Sequence, residues 1–180
     1  MPSPIKNIAV TDFEMSGLDP LRCDIVEFGL IVVHCDSLDE IARYNKKVRL
    51  ERPENADPSS LAFLGYREED WKDAIALETA LAEYAALVSG SIFAAWNTPF
   101  DWTFLAEAFR RKKIKNTLDY HTIDIFSLAY EKLKNNPDVD ALKLSSICKY
   151  FDIPKEPMPH RAINGAEKAL TVYKKLRELG

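Results

Sequence analysis

The sequence predicts an α/β fold in which helices cover a five-stranded mixed sheet. Two observations lead to this prediction. The first third of the chain holds three segments with strand composition, and the remainder alternates helical segments with two short strands. A length of 180 residues and a hydrophobic fraction of 47% suit one domain, and no repeat or linker divides the chain. We therefore expect a single domain over residues 1–180.

Apolar and β-branched residues mark the five strands. The first ends at the turn Ser16-Gly17, and the second is dense in isoleucine and valine. Turn-forming residues at 37–39 predict that the second and third strands pair as a hairpin. The predicted strands are residues 5–13, 24–35, 44–50, 91–95 and 117–123, and residues 51–58 are expected to form a loop.

Helical periodicity and end signals mark the helices. Apolar residues in 74–88 recur close to the helical period, and Gly90 suits the end of that helix. Pro99 fits a first helical turn, with Asn97 or Thr98 as the cap. The predicted helices are residues 74–88, 99–111, 124–134, 142–151 and 162–178.

Composition excludes several classes of protein. The net charge of −4 argues against coating nucleic acid by charge alone, and no apolar run is long enough to span a membrane. Neither a phosphate-binding glycine loop nor a GxSxG hydrolase motif is present. Three scattered cysteines and no signal-peptide pattern predict a cytoplasmic protein with reduced thiols. The basic stretch 110–115 could border a nucleic-acid site, although cations that complement a helix end are the favoured explanation.

Two carboxylates, Asp12 and Glu14, lie at the end of the first predicted strand. Because side chains alternate across a strand, both point to one face while Phe13 points to the other. Carboxylates held close together repel, and a hard divalent cation relieves that repulsion through oxygen ligands. Such a pair is often only a solvated strand edge. Here it precedes a tight turn at 15–18, whose backbone could approach a ligand closely.

Two later segments carry further candidate residues. Asn97 and Asp101 lie four residues apart and share one face if both belong to a first helical turn, although Asp101 could simply complement the helix dipole. His160 follows the stiff segment 157–159 and precedes the last helix. A histidine side chain here could take a proton from water, whereas a loop histidine without a task is the alternative.

Together and in this order, the three groups resemble the motifs of the DEDDh 3′-to-5′ exonucleases, which have a ribonuclease-H-like fold. This family includes the proofreading epsilon subunit, ribonuclease T and oligoribonuclease. The DxExTGL motif matches at 12–18 with Ser16 for threonine, and HNxxFDxxFL matches at 97–105 after Trp96, where histidine is frequent. In the third motif, HxAxxDA, the residues at 160, 162 and 166 match, but Gly165 stands where the fourth acidic ligand is expected.

The resemblance implies a two-metal mechanism with Mg²⁺ or Mn²⁺. It assigns Asp12, Glu14 and Asp101 to the metal ions and His160 to deprotonation of the attacking water. It assigns six residues to substrate binding: Met15, Ser16, Gly17, Leu18, Asn97 and Phe100. Of these, Leu18 is expected to wedge against a base. The expected substrate is the 3′ end of single-stranded DNA or RNA, and the expected products are nucleoside monophosphates.

Gly165 is the largest departure from the family pattern. It falls on the inner side of the last helix, where glycine costs roughly 1 kcal/mol relative to alanine. Neither Asn164 nor Glu167 replaces the ligand, because the helix turns their side chains roughly 100° and 200° away. We therefore expect one ion to be weak or absent. The alternative is an inactive relative that binds nucleic acid, a nucleotide or a protein partner, and a homodimer or a polymerase partner stays open.

Overall fold

The five strands form one mixed sheet. In this computed structural model, which describes residues 6–155 and 158–179, they are β1 (Ile8–Met15), β2 (Ile25–Val33), β3 (Glu40–Lys47), β4 (Ile92–Ala95) and β5 (Thr122–Asp124). Their order is β3-β2-β1-β4-β5, with β1 antiparallel to β2 and parallel to β4. The predicted hairpin is present, since β2 and β3 pair antiparallel. The predicted fold class is confirmed.

Helices cover both faces of the sheet. They are α1 (Pro58–Phe63), α2 (Leu77–Leu87), α3 (Thr98–Lys112), α4 (Ile125–Leu133), α5 (Leu144–Tyr150) and α6 (Ala162–Glu178). Helices α2 and α3 share one hydrophobic core with one face of the sheet, and α4, α5 and α6 share a second core with the other face. The sheet therefore lies between two helical layers.

Strand β1 contributes to both cores. Ala9 and Phe13 face α2 and α3, whereas Ile8 and Val10 face the α6 side. Asp12 and Glu14 continue the second row because the side-chain period of a strand is two. The acidic pair therefore lies on the face that α6 covers.

Gly29 on β2 lets α6 approach this face closely. It is the cross-strand partner of Asp12, so both positions project from the same side of the sheet. A Cβ atom at Gly29 would overlap the backbone of Ala162, the first residue of α6. Glycine at this position thus allows the start of α6 to lie next to Asp12.

Two strands were placed incorrectly from the sequence. Strand β3 was predicted at 44–50 but spans Glu40–Lys47, because it is a largely exposed edge strand in which Tyr44 is the one buried residue. Strand β5 was predicted at 117–123 but spans Thr122–Asp124. The segment before it is held by two backbone hydrogen bonds to residues 90 and 91 and by side-chain contacts, since the Thr117 hydroxyl donates to the Ala85 carbonyl and Asp119 accepts from the His121 N–H.

The region between β3 and α2 holds a helix that the sequence analysis missed. Residues 51–58 were expected to form a loop, yet a 3₁₀ turn spans Pro53–Asn55 and α1 begins at Pro58. The Asp57 carboxylate caps α1 by accepting from the Ser59 N–H at 2.8 Å. Helix α2 starts later than predicted, at Leu77, because residues 74–76 run extended and Ile75 bridges to Val48.

The remaining helices agree with their predicted positions to within about two residues at each end, and α6 has the predicted bounds. Ile5 of the first predicted strand and Pro157 of the predicted loop lie outside the described residues. None of the helices in 6–155 and 158–179 has the length and apolar character needed to cross a membrane. A single domain over 1–180 stays a prediction.

Candidate active site

The three predicted metal ligands meet at one edge of the sheet. Parallel strands β1 and β4 end at this edge, so the end of β1 and the first turn of α3 are neighbours. Asp12 and Glu14 are half-buried, and Asp101 on α3 is 6% exposed. The Phe13 N–H donates to Asp101 Oδ1 at 3.2 Å and fixes this carboxylate beside β1.

These carboxylates line a common cavity of about 280 Å³, which we call the acidic cleft. Residues from helices α1, α3, α5 and α6 and from two loops complete its wall, so the cleft draws residues from all three sequence motifs. Its lining consists of Asp12, Phe13, Glu14, Phe63, Trp96, Asn97, Phe100, Asp101, Leu144, His160 and Gly165. Side chains that are distant in sequence are thereby brought around one small volume.

Burial dominates the electrostatics of Asp101. It raises the pKa of the Asp101 carboxyl from 3.8 to about 7, and the hydrogen bond from the Phe13 N–H opposes this rise only in part. A buried carboxylate with two further carboxylates around the same cavity favours a bound proton or a cation. The arrangement is therefore suited to a hard divalent ion.

His160 lies at the rim of the acidic cleft. It is half-buried, and its ring stacks on Phe63 with centroids 4.2 Å apart and an interplanar angle of 20°. Arg161 ties the same loop to α1, because its Nη1 donates to the carbonyl oxygens of His160 at 2.9 Å and Leu64 at 3.0 Å. The predicted rim position agrees with the structure, and mobility of the loop stays a prediction.

A second cavity, the turn groove, opens from the cleft. It has a volume of about 310 Å³ and lies between the turn after β1 and helix α1. Leu18 projects from the turn and is 76% exposed. Apolar and aromatic side chains dominate this groove, and the full lining is Phe13, Glu14, Met15, Gly17, Leu18, Ser59, Ser60, Phe63, Leu64 and Phe100.

The predicted substrate-binding residues divide into two groups. Met15, Gly17, Leu18 and Phe100 line the turn groove, and Asn97 lines the acidic cleft. Ser16 does not belong with them, because it is fully buried and its Oγ accepts from the Asp24 N–H at 2.8 Å. Its side chain holds the turn together, and the expectation that Ser16 contacts substrate does not fit this geometry.

Gly165 faces Asp12 across the cleft. A Cβ atom at Gly165 would lie 2.6 Å from Asp12 Cγ and closer still to its Oδ2. Position 165 therefore points at the acidic site, as the motif implies, but the Asp12 carboxylate occupies the space that a side chain there would need. An aspartate at this position requires Asp12 to rotate.

Glu27 on β2 was missed in the sequence analysis. It pairs across the strands with Glu14 on one side and Lys47 on the other, and it is 1% exposed. Among the described residues, its buried Oε2 atom has no hydrogen-bond partner. Burial raises the pKa of Glu27 to about 7, against the opposing charges of Arg161 and Lys47. In the sequence, the signal that could have revealed Glu27 is a single charged residue within an otherwise apolar strand.

Helix α1 is the other missed element. It supplies Ser59, Ser60 and Phe63 to the turn groove, and Phe63 also reaches the acidic cleft. The sequence signal was Asp57-Pro58-Ser59, in which a capping aspartate precedes a proline suited to the first helical turn. Phe63 remains 55% exposed for a large apolar side chain, which is typical of a surface that contacts a ligand.

The chain has the ribonuclease-H-like fold of nucleases, as its strand order shows. Acidic residues converge beside β1 in this fold. The chain belongs to the RNase T exonuclease family, because the family model described as Exonuclease matches residues 9–173. The predicted relationship to DEDDh exonucleases is thereby confirmed.

The chain is also similar to bacterial DNA polymerases III of the PolC type. The chain is 25% identical over 178 residues to the PolC-type DNA polymerase III of Caldanaerobacter subterraneus subsp. tengcongensis, covering 95% of this chain and 12% of that protein. It is 26% identical over 174 residues to the Bacillus subtilis protein of the same name, covering 94% of this chain and 11% of the relative. The chain thus spans only about an eighth of the length of these relatives.

Solved structures share the fold at low sequence identity. The nuclease domain of 3′hExo, a DEDDh family member bound to rAMP, has a TM-score of 0.76 at 15% identity and covers 99% of this chain and 95% of that domain. Exonuclease I of E. coli in complex with a dT13 oligonucleotide has a TM-score of 0.80 at 13% identity, with 96% and 41% covered.

Proposed function

We propose that this chain is a metal-dependent 3′-to-5′ exonuclease that releases nucleoside monophosphates from single-stranded 3′ ends. One observation supports the proposal most directly: three carboxylates and a histidine line the same small cleft. The neighbouring turn groove offers an apolar, aromatic space next to that cleft. Stacking of a base on an aromatic ring contributes about 1–3 kcal/mol and tolerates any base.

The donor set of the cleft fits Mg²⁺ or Mn²⁺. Asp12 and Glu14 project from one face of β1, and Asp101 approaches from α3, so all the candidate donors are the carboxylate oxygens that these ions prefer. A bound ion supplies Lewis-acid stabilisation of charge on the scissile phosphate. We assign Asp12 and Glu14 to the stronger ion position and Asp101 to a weaker one.

The remaining residues bind substrate and move a proton. His160 at the rim of the cleft accepts the proton of the attacking water, a task that suits an imidazole near neutral pH. Phe63, stacked on His160, holds the ring against the cleft. Leu18 and Phe100 contact the terminal base in the turn groove, and Asn97 offers a side-chain amide to the backbone.

Gly165 sets the expected strength of this activity. Glycine supplies no ligand and leaves room for the Asp12 carboxylate to approach α6. Loss of a residue that only supports a metal ligand typically costs 10–100-fold in affinity or activity, and a missing ligand should cost at least as much. We therefore propose a weak or conditional exonuclease with one ion held more firmly than the other.

The test compares four proteins on a 5′-labelled single-stranded oligonucleotide: the natural chain, Asp12→Asn, Gly165→Ala and Gly165→Asp. Mn²⁺ affinity is measured by electron paramagnetic resonance. We expect Asp12→Asn to lose at least about 100-fold in both rate and affinity. Gly165→Ala should also weaken Mn²⁺ binding, because its Cβ displaces Asp12 without adding a ligand.

Gly165→Asp separates the missing ligand from the missing space. It should bind Mn²⁺ more tightly than Gly165→Ala, since it displaces Asp12 equally but returns a carboxylate. If both variants bind Mn²⁺ equally, position 165 does not face a metal ion. If Asp12→Asn cleaves as fast as the natural chain, the acidic cleft is not the active site.

A second candidate, a catalytically inactive relative that binds nucleotides, is favoured by Gly165 alone. It predicts tight binding of a nucleoside monophosphate in Mn²⁺ without detectable strand cleavage.

The PolC relatives also support a place beside a polymerase, where the chain would remove mispaired 3′ ends. That setting predicts faster removal of a mispaired terminal nucleotide than of a paired one. The same assay, run on DNA and on RNA strands, decides between the two substrates.

A further inference from the structure

A third cavity adjoins the acidic cleft and shares no lining residue with the turn groove. It has a volume of about 690 Å³, lies between α5 and α6, and shares His160 with the cleft; we call it the α5–α6 groove. The stacked rings of Phe63 and His160 stand at the junction, because Phe63 lines the cleft and the turn groove while His160 lines the cleft and the α5–α6 groove.

The two side cavities have different chemistry. The turn groove is mainly apolar and aromatic, whereas the α5–α6 groove presents Lys149, Lys155 and Lys168 together with the hydroxyls of Ser145 and Ser146. Asp152 is the one carboxylate that lines this groove among the described residues. In a chain with a net charge of −4, this is a local concentration of cations and hydroxyl donors, the groups that contact phosphate backbones.

The ion pair of Lys149 does not prevent it from binding phosphate. Lys149 lies 3.0 Å from Asp140, but the two side chains are 78% and 70% exposed. Exposed pairs of this kind are worth about 0–1 kcal/mol, so a phosphate oxygen can replace the carboxylate at little cost.

The covalent structure of a nucleic acid relates the two cavities. The scissile phosphodiester joins the terminal nucleoside to the rest of the strand, so a phosphate at the acidic cleft has the terminal base on one side and the upstream strand on the other. The aromatic turn groove suits the terminal base. The lysine-lined α5–α6 groove then lies where the upstream phosphates would leave the cleft.

We propose that the α5–α6 groove binds the sugar-phosphate backbone of a single-stranded nucleic acid, upstream of the bond that is cleaved. This inference rests on the proposed exonuclease function. It predicts that the protein selects strands of several nucleotides over substrates without an upstream strand.

The experiment uses the double variant Lys149→Gln with Lys168→Gln. Its control is Lys46→Gln with Lys72→Gln, which removes the same charge from exposed positions outside the three cavities and outside the basic stretch 110–115. Affinity for a fluorescent 12-nucleotide oligo-dT and oligo-U is measured by anisotropy at several salt concentrations, and Tm is recorded for each protein. Turnover is compared on the same strands and on the p-nitrophenyl ester of thymidine 5′-monophosphate, which has no upstream nucleotide.

We expect the groove variant to bind the oligonucleotides roughly fivefold more weakly per lost contact at 0.1 M salt, with a salt slope lower by about 0.7 per contact. The ratio of kcat/KM for the strand to kcat/KM for the ester should fall by a similar factor, and the control should resemble the natural chain. Unchanged binding, or an equal loss in the control, overturns the proposal. Because binding is measured without turnover, a natural chain that cleaves neither substrate disproves the proposed activity and still decides whether the groove binds a strand.

Discussion

Two buried acidic regions of this molecule have opposite environments. Asp24, just before β2, is 1% exposed and accepts hydrogen bonds from the N–H groups of Glu51 at 2.9 Å and Arg52 at 2.7 Å. Arg52 Nε at 2.9 Å and Arg111 Nη2 at 3.0 Å add two charged donors. Asp101 is nearly as buried, but the hydrogen bonds that it receives do not offset its burial, and its pKa rises to about 7.

The difference teaches how a structural acid differs from a functional one. Protein donors satisfy Asp24 within the fold, so its charge joins the segment at 51–52 to the end of α3. Asp101 instead lies beside two further carboxylates at an open cavity. A buried acid that the protein leaves short of positive partners favours an external cation, whereas a fully partnered one does not.

The largest expected effect compares Asp24→Asn with Asp101→Asn. Removing the Asp24 charge leaves two arginines without their buried partner, so the free energy of unfolding should fall by about 3–5 kcal/mol. Asp101→Asn keeps an oxygen for the Phe13 N–H and removes a buried charge, so stability without metal at pH 8 should stay equal or rise. Urea unfolding in EDTA measures both. Equal losses would show that Asp101 is partnered as Asp24 is.

A smaller effect is expected from Glu27→Gln. Because burial raises the pKa of Glu27 from 4.5 to about 7, the folded state binds this proton more tightly than the unfolded chain. The natural chain should therefore lose stability as pH rises from about 4.5 to 7, and the glutamine variant should be free of that loss. We expect a gain of about 1–3 kcal/mol at pH 8 that vanishes near pH 4.5.

Thermal unfolding at both pH values measures this difference. The gain corresponds to roughly 2–12 °C in Tm for a chain of this size. Glu40→Gln is the matched control, since that carboxylate is exposed on β3 and its pKa is lowered rather than raised. A lower Tm for Glu27→Gln at pH 8 would mean that Arg161 and Lys47 hold Glu27 as a stabilising ion.

The sequence predicted the parts of the cleft that local chemistry specifies. Asp12 and Glu14 could be placed on one face because strand periodicity alone decides it. The convergence of Asp101 with them depends on strand order, which the family resemblance implied and spacing alone does not. Glu27 was missed because its pairing with Glu14 across the strands depends on the tertiary structure. The inward turn of the Ser16 hydroxyl toward the Asp24 N–H likewise could not be seen from the sequence.

In the fold, too, the elements with a strong local sequence pattern were predicted better than the others. Buried strands β1, β2 and β4 carry dense apolar runs and were located to within about three residues at each end, the largest shift being that of β1 from 5–13 to Ile8–Met15. The edge strands β3 and β5 are mostly exposed or very short, so no apolar period marks their ends. Helix α1 has six residues, too few for a periodic signal, and only its capping residues could have revealed it.

The smallest expected effect concerns the basic stretch 110–115 at the end of α3. The sequence left two explanations for it, a nucleic-acid rim or cations that complement a helix end. In the structure its residues face acidic partners: Arg111 binds Asp24, Lys112 binds Glu51 at 2.7 Å, and Arg110 binds Glu107 at 2.7 Å. These contacts favour the second explanation, because three of the cations in this stretch already have acidic partners within the fold.

Arg110→Gln tests this explanation most cleanly, since its side chain is 72% exposed and its acidic partner is the neighbouring Glu107 on the same helix. An exposed ion pair is worth about 0.2–1 kcal/mol, so the free energy of unfolding should fall by no more than that. Affinity for the 12-nucleotide strand should change less than twofold, whereas Lys149→Gln should weaken it roughly fivefold. Anisotropy at 0.1 M salt compares the two variants directly. An equal loss in both would place the end of α3 on the substrate surface and restore the nucleic-acid rim.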